Sequence, residues 1–157
     1  MTKRDVAMEN FKAGCNCAQA VLLAFHKEVG LDEKTALRLA APFGGGFGRQ
    51  REVCGAVSGM CMVLGFFDGY DDITDPDRKA AHYATVQALC ARFKEKNGTI
   101  VCRELLDGIP GNNTAPTPEA RTAQYYQKRP CAELVGDAAE IIDEWLQSHC
   151  ADCAKNG

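Results

Sequence analysis

The stretch FGGGFGRQREVCGAVSGMC, Phe43 to Cys61, decides the fold. Beyond Glu52 the chain carries no charge from Val53 to Phe67, a run of 15 residues. A membrane span needs about 20 apolar residues, and this run is shorter and holds three glycines and a serine. It reads instead as a buried helix from Val53 to Phe67, ended by Asp68-Gly69, with no charged face to turn toward water. Gly55 and Gly59 lie one turn apart on it. They strip side chains from one line of the helix, which suits either the close approach of a neighbouring helix or a role near a cofactor. The glycines ahead of it, Gly44 to Gly46 and Gly48, suit a sharp turn that brings the start of this helix against other backbone.

Outward from this centre the signals are helical. Thr2 caps a first helix to about Ala13. CAQAVLLAFHKEVG follows with Ala18, Val21, Leu22 and Phe25 on one face, closed by Gly30. Asp32 caps EKTALRLAAPF, where Leu37, Ala40 and Ala41 form a stripe. Asp75-Pro76 opens the longest helix, with Tyr83, Val86, Leu89, Cys90 and Phe93 inward and Asn97-Gly98 as its stop. A short helix spans Cys102 to Leu106, and Asp107 to Pro118 is a loop rich in Gly, Pro and Asn. Thr117-Pro118 is a start for a further helical piece. The last helix runs from Pro130 to about His149, with Leu134, Ala138, Ile141, Ile142 and Trp145 inward. Alternating strand patterns are lacking. The expectation is an all-α single-domain bundle of about six to eight helices over residues 1–149, around the central glycine-rich helix, with a tail over 150–157.

Composition narrows the function. The net charge of −3 and the absence of a basic run disfavour nucleic acid and anionic membranes as partners. Asp5, Glu9 and Asn10 interrupt any secretory signal core at the N-terminus, so a cytoplasmic protein is expected. Nine cysteines are many for that compartment. Thiols are kept reduced there, so the count points to metal or redox chemistry rather than a disulfide scaffold.

Position separates the nine. Cys17, Cys54, Cys102 and Cys131 each sit at an expected helix N-terminus, where unpaired N–H groups and the helix dipole favour an anion. A free thiol has a pKa of about 8.5, and such a position lowers it toward the thiolate, which is both nucleophile and metal ligand. Cys61 and Cys90 fall in apolar stripes and read as core. Cys15 forms a C-x-C pair with Cys17. Cys150 and Cys153 form a C-x-x-C near His149, a spacing that suits zinc. Arg49 and Arg51 flank the Cys54 helix and serve either as solvated surface or as charges that favour a thiolate or an anionic cluster. The glycine loop lacks the G-K-[ST] ending of a phosphate loop. His26 and His82 read as rim residues, and the acids from Asp68 to Asp77 as caps and solvated groups.

CGAVSG (Cys54–Gly59), NCAQAV (Asn16–Val21), FGGGFG (Phe43–Gly48), CRELL (Cys102–Leu106) and PCAELV (Pro130–Val135) together resemble the C_GCAxxG_C_C family. The resemblance covers roughly Ala7 to Trp145 and implies a redox-active protein whose family cysteines are Cys17, Cys54, Cys102 and Cys131. Related domains look like the part fused to haem modules in split-Soret-type cytochromes, which implies an iron–sulfur centre. Three expectations follow. In the first the four cysteines ligate an iron–sulfur or other metal centre for electron transfer. In the second they are redox thiols of a metal-free thiol–disulfide exchange protein, an oxidoreductase in action. In the third they bind zinc without redox chemistry. The first two require a redox partner protein, and a homodimer is one arrangement such a small domain can take.

Overall fold

The computed structural model describes residues 1–149; the expected tail, with Cys150 and Cys153, lies outside the described residues. The helices start where the sequence supplies caps. Thr2 caps α1 (Lys3–Lys12) in a capping box, its hydroxyl accepting from the Asp5 N–H while the Asp5 carboxylate accepts from the Thr2 N–H. Asn16 and Gln19 repeat the device at α2 (Cys17–Ala24). The expected single helix to Gly30 is broken at Phe25 (φ −114°, ψ 12°), so α3 (His26–Val29) is a separate turn, closed by Gly30 in the left-handed region. Asp32 caps α4 (Glu33–Ala40). Its buried residues are Ala36 and Ala40; Leu37 is half-buried and Ala41 exposed, because the helix stops at Ala40 and the chain tightens into a 3-10 turn over Ala41–Phe43.

One irregular turn, α5 (Gly44–Phe47), follows, with Gly45 and Gly46 at φ 66° and 69°. The central helix, α6 (Gly55–Asp68), begins two residues later than expected: Cys54 is its N-cap, and Val53 makes an isolated antiparallel bridge to Val101. Asp75 caps α7 (Pro76–Asn97), which Gly98 ends in the left-handed region. Leu89 and Phe93 are its buried residues, while Tyr83 is exposed and pairs edge-on with Tyr70 instead of entering the core. α8 (Cys102–Leu105) is a single turn. The next helix, α9 (Ala123–Lys128), starts after Thr122 rather than at Thr117-Pro118; Thr122 is the residue whose side chain reaches a backbone N–H, that of Tyr125. α10 (Cys131–His149) closes the described chain, with Trp145 only half-buried.

The arrangement is all-α. α6 packs on α2, α10 and α7; α1 lies across α10 and α2; α4 covers α2. Val57, Met60, Val63 and Leu64 of α6 meet Val21 and Leu22 of α2 and Ile141 and Ile142 of α10 in one buried core. Full burial of each such side chain is worth about 1.5–3 kcal/mol. No helix among the described residues is long and apolar enough to cross a membrane.

Candidate functional site

The small residues of α6 fix how close α2 comes. A methyl group on Gly59 would stand 2.8 Å from the Ala18 carbonyl oxygen and 2.9 Å from Val21 Cβ. One on Gly55 would stand 2.9 Å from the Phe43 carbonyl oxygen and 3.1 Å from Cys17 Cβ. The glycine pair therefore seats the start of α2, with Cys17, against the start of α6, with Cys54.

The glycine turn holds the third thiol. Glu52 N–H donates to the Gly46 carbonyl and Arg51 N–H to that of Gly45, curling the chain back on the turn. From there the 51–54 segment is laced to the 100–103 segment: Cys54 N–H to Ile100 O, Cys102 N–H to Glu52 O and Arg103 N–H to Arg51 O, at 2.8, 2.6 and 3.1 Å. A Cβ on Gly46 would lie 2.7 Å from Cys102 Cβ, and its φ of 69° already favours glycine. The fourth thiol, Cys131, opens α10 behind Arg129-Pro130. Cys17, Cys54, Cys102 and Cys131 thus come from four separate segments to line one cavity of about 460 Å³. Cys54, Cys102 and Cys131 are buried and Cys17 half-buried. Cys15 does not line the cavity; its carbonyl accepts from Arg121 at 2.8 Å.

The helix-terminus argument correctly placed these residues at helix starts, but the expected thiol acidity holds for one of the four. At Cys54 burial dominates and pushes the thiol up to about 12, although the Ala56 and Val57 N–H groups donate to its sulfur. Burial likewise raises Cys102 against the opposing pull of Arg51. Cys17 and Cys131 are in hydrogen-bonding contact. Cys17 is raised well above its ordinary value by Cys131 and by burial. Cys131 is held down to about 7, first by that hydrogen bond and then by Arg129 and Arg51.

Cations surround the thiols. Arg51 is buried, and its guanidinium forms no ion pair with a carboxylate among the described residues: Nε donates to Asn113 O at 2.9 Å, Nη2 to Gly111 O at 3.2 Å and Nη1 to Cys102 Sγ at 3.7 Å. Of the two roles open to it from sequence, surface solvation is ruled out. Arg129, also buried, pairs with Glu119 and lies over the Tyr125 ring at 4.8 Å. Arg121 spans the Phe11 ring at 4.3 Å. Arg49 reaches Ala115 O at 2.6 Å and Glu119. Sequence reading missed Glu119, Arg121, Tyr125 and Arg129. They come from the loop and short helix ahead of α10, and the residues there carry no spacing signal; only the proximity of Arg129 to Cys131 hinted at a role.

One other expectation changes. Cys61 and Cys90, read as separate core residues, are both half-buried and in side-chain contact with each other across α6 and α7. His82 bonds Asp68 at 2.9 Å and His26 bonds Leu31 O at 3.0 Å, local roles that agree with the sequence reading. Among the described residues no three Cys, His, Asp or Glu side chains are grouped closely enough to hold a metal ion.

No curated protein and no solved structure matches the chain. Residues 15–145 match the family described as "Putative redox-active protein (C_GCAxxG_C_C)", from before the first cavity cysteine to well into α10. Cys54-Gly55-Ala56 and Gly59 supply its central motif at the head of α6, and the chain belongs to the C_GCAxxG_C_C family.

Proposed function

We propose that this chain is an electron-transfer protein in which Cys17, Cys54, Cys102 and Cys131 hold an iron–sulfur or related thiophilic metal centre. The observation that carries this reading is Arg51: a guanidinium buried beside four thiols, with no carboxylate ion pair among the described residues, donating to Cys102 Sγ at 3.7 Å. A buried charge needs a counter-charge. Thiolates around a metal centre supply one; the carboxylate that lines the cavity, Glu119, pairs with Arg49 and Arg129 rather than with Arg51.

The donor chemistry fits. Four sulfurs face one space, and soft thiolate donors select iron–sulfur clusters, zinc and Cu(I). A single zinc ion, with each sulfur at about 2.3 Å from one point, is the poorer fit, because no three potential ligands are grouped closely enough among the described residues. A centre of several irons spreads its ligands around a larger body and does not require them to converge on one point. When bound, such a centre supplies one-electron transfer at a potential set by hydrogen bonds to sulfur, charge and exposure. The chain's own residues would set those terms. Arg51 donates to the Cys102 sulfur, the Ala56 and Val57 N–H groups donate to the Cys54 sulfur, and Phe11, Leu106 and Leu134 line an apolar wall that limits water. Because the four ligands come from four segments, assembly would accompany or follow folding.

The contact between Cys17 and Cys131 favours a second reading, metal-free thiol–disulfide exchange through that pair. Anaerobic purification followed by iron and sulfide analysis and visible spectroscopy separates the two. The first reading expects bound iron and sulfide, with absorption that bleaches on reduction and is lost in Cys54→Ser. A colourless, iron-free protein that reversibly loses two titratable thiols, with Cys17 and Cys131 linked, would overturn it in favour of exchange.

A further inference from the structure

Cys61 and Cys90 stand apart from the cavity. Neither lines it, and neither belongs to the four-cysteine set. Cys61 is seven residues along α6 from Cys54, roughly 10 Å of helix at about 1.5 Å per residue. Cys90 is on α7, which contributes nothing to the cavity wall. The two sulfurs meet where α6 packs on α7, and both side chains remain half-exposed. The two thiols are within reach of each other, so that two sulfurs able to attack and to resolve stand in one contact. Lys94, one turn after Cys90 on α7, adds positive charge on the Cys90 side. Cys90 is accordingly held down to about 7, while Cys61 is pushed up by the same contact and by burial. An acidic, reachable thiol beside a protonated one is the pairing that thiol–disulfide exchange uses: an attacking and a resolving cysteine.

We propose that Cys61 and Cys90 form a second, independent dithiol–disulfide site that is oxidised by low-molecular-weight disulfides and staples α6 to α7. The Cys90 thiolate attacks one sulfur of the disulfide RSSR. A Cys90–SR bond forms, the RS–SR bond breaks, and the departing RS⁻ takes a proton. Cys61 then gives up its proton and attacks the Cys90 sulfur, forming the Cys61–Cys90 bond and expelling the second RS⁻, which that proton neutralises. Two protein thiols are oxidised and one RSSR is reduced to two RSH. The helix fixed by this step is the one that Cys54 caps, so the state of the pair bears on the rigidity of the cavity without entering it.

The test is to incubate the full-length protein, folded and as purified, with glutathione disulfide, then quench with acid and map the peptides by mass spectrometry. Cys54 and Cys61 share one tryptic peptide, since no Lys or Arg lies between Arg51 and Arg78. Fragmentation must therefore place the link. The expected result is a Cys61–Cys90 link, about 2 Da lighter than the two reduced peptides, formed at least about tenfold faster in the folded protein than in urea. Cys61→Ser should stop at a Cys90–glutathione adduct, and Cys90→Ser should leave Cys61 largely unmodified. A glutathione adduct on Cys90 without the link in the folded wild-type protein would overturn the proposal, as would a link that forms no faster than in urea. The wild-type comparison stands even where a variant fails to fold. Iron and sulfide content, read on the same sample, reports on the cavity thiols separately.

Discussion

Replacing Gly59 by Ala, beside the same change at Gly65, tests how α6 is built. Both glycines lie within one helix, Gly59 buried and Gly65 exposed. In a helix interior Ala is favoured over Gly by about 0.8–1 kcal/mol. At Gly65 the added methyl meets nothing within 4 Å, so that gain should appear nearly in full. At Gly59 it would stand 2.8 Å from the Ala18 carbonyl oxygen, and backbone cannot swing aside as a flexible side chain can. Overpacking of this kind costs about 1–3 kcal/mol, which cancels the propensity gain or exceeds it by up to about 2 kcal/mol. The two variants should therefore differ by about 1–3 kcal/mol, Gly65→Ala being the more stable. Urea unfolding followed by circular dichroism reads this directly. With a slope of about 1–3 kcal/mol per molar urea, the midpoints should separate by roughly 1 M. Pushing α2 outward also moves Cys17 from Cys131, so Cys131 in Gly59→Ala should lose the acidity that contact gives it. Equal stabilisation by the two substitutions would refute the claim that Gly59 exists to admit α2.

Three further outcomes follow from the site. Arg51→Met removes the cation that opposes burial at Cys102; Cys102 should alkylate several-fold more slowly at pH 8, and iron bound by the wild-type protein should be reduced or lost, as measured by iodoacetamide labelling and metal analysis. Cys54 has a folded pKa raised to about 12, so its contribution to stability is intact below the ordinary thiol value of about 8.5 and is lost as pH rises toward 12. The metal-free, reduced protein should weaken by up to about 1.4 kcal/mol per pH unit over that window, and Cys54→Ala should flatten the slope in urea titrations at pH 8 to 11. Oxidation of Cys61 and Cys90 closes a loop of about 30 residues and should raise stability by about 3–4 kcal/mol on the chain-entropy account; a native-state denaturation midpoint unchanged by oxidation would count against it.

Much of the scaffold was legible because local chemistry declares it. Thr2, Asn16, Asp32 and Asp75 cap helices at or beside the positions where the sequence places their starts, and Gly30 and Gly98 end them. Gly55 and Gly59 announced a close approach to α6, but that α2 makes it is visible only in the structure. Tyr83 failed because its phenol finds a partner in Tyr70 at the surface, and helical periodicity cannot weigh that against burial. Ala41 failed because the chain leaves the α-helix one residue earlier, ahead of Pro42. The Cys61–Cys90 contact was invisible for a different reason. It depends on the crossing of two helices separated by a long loop, and no spacing within either helix records it.

The acidity of the four cavity cysteines shows where sequence reasoning placed residues at helix starts and drew the wrong sign from that position. A helix N-terminus stabilises an exposed anion by about 0.3–1 kcal/mol, whereas burying an isolated charge costs several. At Cys54 the N–H groups of Ala56 and Val57 are present as expected, and desolvation still wins. Only Cys131, with a second thiol as donor and Arg129 and Arg51 nearby, comes out acidic. In the metal-free protein, then, thiolate character is confined to one member of the four, and the buried charge of Arg51 is offset only in part. Deprotonating the remaining three is favourable only when their charge is shared with something positive inside the cavity. A cationic centre of the kind proposed above would supply that charge, and the proposal makes proton release on metal uptake a measurable consequence: at pH 7 in weak buffer, reconstitution with ferrous iron and sulfide should acidify the solution by more protons in the wild-type protein than in Cys54→Ser, whose buried hydroxyl keeps its proton.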